Sequence, residues 1–88
     1  MNITALESST LAECAYDEIH EILQLEFRSR ASYRYFGVPV RVYEALLAAS
    51  SKGKYFNQAI RGIFPHSRAS SIRADSASST SASLLGED

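Results

Sequence analysis

Lys52-Gly53-Lys54 places two ammonium groups on either side of a glycine, directly after Ser50-Ser51 and before an apolar-periodic run. That is the setting of a helix start, where unpaired amides and the helix dipole favour an anion. Gly53 would let the backbone approach a phosphate closely, and the lysines would add charge. The tripeptide is not a Walker loop, because no G-x-x-x-x-G-K followed by Ser or Thr occurs in the chain. The structural alternative is an exposed connector with solvated lysines.

Two further groupings carry possible chemistry. Tyr33-Arg34-Tyr35 has a two-residue period, so both phenols share one face of a strand and Arg34 the other. Tyr33 and Tyr35, with Tyr55 and Phe56 further on, are candidates for a base-stacking platform. In so small a chain they are more readily explained as core, and that is the role favoured for Tyr33 and Tyr35. Asn57 and Arg61 stand four apart and should share a helix face with each other and with Lys54. Their structural alternative has Asn57 satisfying loop amides and Arg61 pairing with Asp17 or Glu13. Cys14, His20 and His66 are too few and too scattered for a metal centre. Neither a nucleophile with its base nor an acid–base pair can be assembled, so no catalysis, metal or cofactor is expected.

The elements that must position these residues follow from periodicity. Between residues 11 and 27 two readings compete. Leu11, Cys14, Ala15, Ile19, Ile22 and Leu23 follow helical spacing, which periodicity slightly favours. Leu23-Gln24-Leu25-Glu26-Phe27-Arg28 alternates like a strand, and Asp17 offers a turn between strands at 11–16 and 22–28. Residues 28–31 would form the next turn and 32–36 the next strand. After Gly37, a first helix is expected over 39–49, with Pro39 in its first turn and Val42, Tyr43, Leu46 and Leu47 as its apolar stripe. Ser50 or Ser51 can cap a second helix, whose stripe is Tyr55, Phe56, Ala59, Ile60 and Ile63 and whose end is marked by Gly62 and Pro65.

Charge is distributed unevenly. The net charge of −1 combines −6 over residues 1–27, +8 over 28–73 and −3 over 74–88. A basic stretch of this kind suits an anionic partner, although acidic and basic strands lying side by side would also explain it. Residues 69–88 hold seven serines, four alanines and no aromatic, too little apolar surface to offset the entropy of ordering. We therefore expect a loose lead-in over 1–8, one domain over 9–66 and a disordered Ser/Ala-rich tail over 67–88. A single cysteine, no secretory signal and no apolar run of membrane-spanning length point to the cytoplasm.

Taken in order, these residues resemble the KTSC domain, a family named for its occurrence at the C-terminus of some lysyl-tRNA synthetases and found also as a stand-alone bacterial protein. The likeness runs from about Ser8 to Pro65. It rests on Tyr16-Asp17, the strand 23–27, Tyr33-Arg34-Tyr35, Gly37-Val38-Pro39, Val42-Tyr43, Leu46-Leu47, residues 51–57, and Ile60-Arg61. Arg30 departs from it, standing where the family usually has a hairpin glycine, and Glu18-Ile19-His20-Glu21 lacks the usual turn-like character.

The resemblance implies an α+β fold, a small three-stranded antiparallel meander followed by two short helices packed on one face. It decides the first half in favour of strands. It also suggests RNA, of tRNA type, as a partner. The expected function is a non-enzymatic binding module. Lys52, Lys54 and Arg61 would hold phosphates with Gly53 and Asn57 beside them, and Arg34 and Arg41 would extend the field. The alternative is a module for protein interaction or self-association.

Overall fold

In the computed structural model, residues 2–70 are described. Strands β1 (Ile3–Ala5), β2 (Leu11–Asp17), β3 (Ile22–Phe27) and β4 (Ser32–Phe36) are followed by helices α1 (Val40–Ala48) and α2 (Lys52–Ala59). Strand β5 (His66–Ala69) comes last. The five strands form one sheet in the order β1-β2-β3-β4-β5, every neighbouring pair antiparallel. The α+β class and the central meander are as expected, but the strand count of three is too low.

Both additions lie where the sequence suggested no structure. The stretch 1–8 is not a loose lead-in throughout, because Ile3, Thr4 and Ala5 pair with Ala15, Cys14 and Glu13. Residues 67–69 belong to β5, which pairs with β4 from Ser32 to Tyr35. The remainder of the proposed tail, from residue 71 on, lies outside the described residues.

Side chains alternate across this sheet, so cross-strand partners share a face. Cys14, Leu25 and Tyr33 stand on one face with Tyr16, Leu23 and Tyr35. This face carries the core, joined by Val38, Leu46, Phe56 and Ile60 from the helical half. Phe56 of α2 meets Phe27 and Tyr35 edge-on at 5.3 and 5.7 Å, and Tyr43 of α1 stacks on Tyr16 at 4.6 Å. The phenol of Tyr16 also donates to the carbonyl of Val38, tying the chain entering α1 to β2.

Leu11 and Cys14 are both fully buried in the core cluster although three residues apart, which an unbroken strand would forbid. The register shifts between Leu11 and Glu13, and this bulge turns both side chains toward the helices. The same bulge produces the i, i+3 spacing that imitates a helix in the sequence.

Gln24, Glu26, Ser32 and Arg34 occupy the other face. Arg34 Nε donates to Gln24 Oε1 at 3.0 Å, Gln24 Nε2 to the carbonyl of Ser70 at 2.9 Å, and Ser32 Oγ to Glu26 at 3.2 Å. Gln24 and Ser32 are therefore buried with their polar groups satisfied.

Turn chemistry follows the sequence closely. Asp17 Oδ1 accepts from the amides of Ile19 and His20 at 3.1 and 3.2 Å, closing the β2–β3 hairpin. The β3–β4 hairpin puts Arg30 at φ 77°, left-handed backbone that a side chain strains. Pro39 occupies the cap position of α1 and Ser51 that of α2, where Ser51 Oγ accepts from the amide of Lys54 at 3.4 Å. α2 ends at Ala59, so Ile63 is not part of its stripe and is 59% exposed. Gly62 at φ 76° then reverses the chain toward β5.

A candidate nucleic-acid interface

The proposed site residues divide between two clefts and two other surfaces. The first cleft, about 560 Å³, opens between α2 and the β3–β4 end of the sheet. Phe27, Tyr33, Tyr35 and Phe56 are its apolar lining, with Asn57, Arg61, Ser29, Thr10 and His66 as its polar groups. A second cleft of about 490 Å³ lies at the start of α2, lined by residues 7–10 and 50–54 with Asn57. Thr10 and Asn57 belong to both.

Aromatic packing builds the floor of the first cleft. Tyr35 is buried, with His66 stacked on it at 5.4 Å and an interplanar angle of 28°. Tyr33 is half-buried, meeting Phe27 and His66 edge-on at 6.0 and 5.6 Å. The guanidinium carbon of Arg68 lies over its ring, 5.6 Å from the centroid. These contacts follow from register, since β5 sets His66 opposite Tyr35 and Arg68 opposite Tyr33. Burial first, and the neighbouring Tyr33 second, raise the pKa of the Tyr35 phenol, so it stays neutral and acts as packing.

Asn57 and Arg61 share a face of the helical turn as their spacing requires, and Arg61 Nη1 donates to Asn57 Oδ1 at 3.4 Å. Neither partner suggested for Arg61 is used in this contact. Asp17 instead receives His20 Nδ1–H at 2.8 Å. Among the described residues no carboxylate lines this cleft.

Lys52, Gly53 and Lys54 line the second cleft, with Glu7 across from them. Lys52 Nζ donates to the carbonyl of Ala49 at 2.9 Å, which occupies that ammonium at the end of α1. Gly53 has a packing reason for lacking a side chain, since an added Cβ would stand 2.9 Å from Thr10 Oγ1. Tyr55 and Phe56 pack with the core, Phe56 fully and Tyr55 in part. Arg34 points from the opposite face of the sheet, and Arg41 is exposed on α1; neither lines either cleft.

Sequence reasoning missed His66 and Arg68 as site residues. The signal was present: His66-Ser67-Arg68 has the same two-residue period as Tyr33-Arg34-Tyr35 and begins directly after Pro65.

Meander, helical hairpin and returning edge strand define a small α+β domain with one basic, aromatic-floored cleft. The chain belongs to the KTSC domain family, whose model matches residues 7–64. The crystal structure of a KTSC domain protein from Yersinia pestis superimposes with a TM-score of 0.75 at 31% identity, covering 77% of this chain and 96% of that one. A protein of Stutzerimonas stutzeri (strain A1501) is 48% identical over 61 residues, 69% of this chain and 86% of its own length. A lysine–tRNA ligase of Trichormus variabilis is 41% identical over 64 residues, 73% of this chain but 11% of the ligase. His66 and Arg68 lie beyond the residues the family model matches.

No helix among the described residues is long and apolar enough to cross a membrane.

Proposed function

We propose that this domain is a non-enzymatic RNA-binding module of the cytoplasm, holding an unpaired stretch of a tRNA-type RNA in the first cleft. One observation carries the reading. The cleft combines half-buried Tyr33 with Arg61, His66 and Arg68, and among the described residues no carboxylate opposes them. An aromatic face beside guanidinium groups is the arrangement that binds single strands, the ring taking a base and the cations its phosphates. Arg30, exposed between the cleft residues Ser29 and Ala31, adds to the same field. The likeness to a segment of lysine–tRNA ligases, whose name says that they act on tRNA, supports this choice of anion. Lys54 remains a candidate phosphate contact in the adjoining cleft, partly offset by Glu7.

Strand addition at a sheet edge is the competing reading. Edge strands of three and four residues offer it only a short ladder.

The test is fluorescence anisotropy of a labelled tRNA mixture at several salt concentrations, with wild type and an Arg61→Ala/Arg68→Ala double variant. Binding should weaken steeply with salt, and the double variant should lower the log–log slope by about 2, roughly one per phosphate contact. No binding at low salt, or an unchanged double variant, sinks the reading.

A further inference from the structure

The fixed polar groups on the wall of the first cleft point mainly donors into it. Arg61 has donors only. Asn57 ordinarily offers both kinds, but its Oδ1 already accepts from Arg61 Nη1, which leaves the amide –NH₂ as its outward arm. Thr10 and Ser29 carry hydroxyls that serve either way, and His66 offers one donor and one acceptor when neutral. The carboxylate that would accept from a base amino group is missing from the lining among the described residues.

A base seated on Tyr33 would therefore be held best through an edge rich in acceptors. Guanine sets N7 and O6 side by side. Adenine places an amino donor next to N7, cytosine presents an amino donor, and uracil presents a single oxygen. The face of Tyr33 already receives the planar guanidinium of Arg68 at 5.6 Å. Arg68 is exposed, so a base can take its place while the guanidinium moves to the adjoining phosphate.

Resting on the RNA-binding reading, the geometry points to a pocket that selects an unpaired guanine, with Tyr33 as platform and Arg61 and Asn57 reading N7 and O6. The pair works as a unit, because the contact between them fixes which way the amide faces. Arg61 and Asn57 are exposed, so either can be replaced without opening the core.

The experiment compares labelled pentanucleotides UUGUU, UUAUU, UUUUU and UUGUU carrying 7-deazaguanine, by anisotropy at low salt, with the labelled tRNA mixture run alongside. UUGUU should bind about tenfold more tightly than UUAUU, the discrimination expected of one two-point base contact. Loss of N7 in the 7-deaza oligonucleotide should remove most of that advantage. Arg61→Ala should bring UUGUU and UUAUU to the same weak affinity. Equal binding of all four, a preference for adenine, or a guanine preference that survives Arg61→Ala overturns the guanine pocket while RNA binding stands. Failure of every pentanucleotide and of tRNA overturns both.

Discussion

Gly53, in the first turn of α2, sits so close to the β1–β2 connection that an added Cβ would stand 2.9 Å from Thr10 Oγ1 and 3.2 Å from Thr10 Cβ. Contacts that short cannot be kept, and the Cβ of Thr10 cannot swing away as a chain end would. Gly53→Ala should therefore destabilise the fold by about 1 kcal/mol, even though alanine is the better helix former by a similar amount. In a Thr10→Ala background the Oγ1 clash is gone and the cost should fall. A double-mutant cycle in urea checks this, and strictly additive effects would mean that Thr10 is not the obstacle.

Arg30 holds the β3–β4 hairpin at φ 77°, where glycine carries no penalty and a side chain costs roughly 1 kcal/mol. Arg30→Gly should raise stability by about 0.5–1 kcal/mol, or roughly 4 °C in Tm for a domain of this size. Arg30→Val should lower it, because β-branching worsens the strain. Calorimetry on the three proteins gives the order directly, and Val above Arg would contradict the hairpin geometry.

Much of the fold was legible, and the misses have physical reasons. Leu23–Phe27 and Tyr33–Tyr35 alternate because each strand has one face on the core and one face polar. β2 read as a helix because its bulge sets Leu11 and Cys14 on one face at helical spacing. β1 offers only three residues, and His66-Ser67-Arg68 in β5 is exposed. Neither edge strand buries enough apolar surface to leave a pattern; both are held by ladder hydrogen bonds to a neighbour. The site divides the same way. Asn57 and Arg61 were readable from spacing within one helical segment. His66 and Arg68 reach Tyr35 and Tyr33 only through the β4–β5 register, which local sequence does not encode.

Cys14 gives the chain an alkaline limit. Burial, reinforced by the carboxylate of Glu13, pushes its thiol up to about 11 from the ordinary 9.0. In the unfolded chain the thiol ionises at the ordinary value, so the folded state retains a proton that the unfolded state releases. The resulting stability is complete below about pH 9 and is lost as pH rises toward 11. Tyr35, whose phenol is also raised, adds to the loss at the upper end. Urea titrations from pH 8 to 11 should show stability falling, and Cys14→Ala should fall less steeply. Iodoacetamide should label the native thiol far more slowly than the unfolded one at pH 8. Equal labelling rates would contradict the burial.

Tyr33 and Tyr35 share a face two residues apart, yet they should separate folding from binding. Tyr35 is 4% exposed, stacked by His66 and edge-on to Phe56, so its ring belongs to the core. Tyr35→Ala should cost about 3 kcal/mol, the range for removing a buried aromatic ring. Tyr33 is half-buried at the cleft, and part of its surface is met by the exposed side chains of His66 and Arg68. Tyr33→Ala should cost less, about 1–2 kcal/mol, because less area leaves the core. The order should reverse for RNA. Tyr33→Ala should weaken oligonucleotide binding by about 1–3 kcal/mol, the worth of one stacked base, while Tyr33→Leu should restore stability without restoring affinity. Tyr35→Phe, which keeps the ring and removes only a phenol, should bind as wild type does. Denaturation and anisotropy on the same four variants test both halves. If Tyr33→Leu binds RNA as well as wild type, the ring is core alone and the cleft is not a base-stacking site.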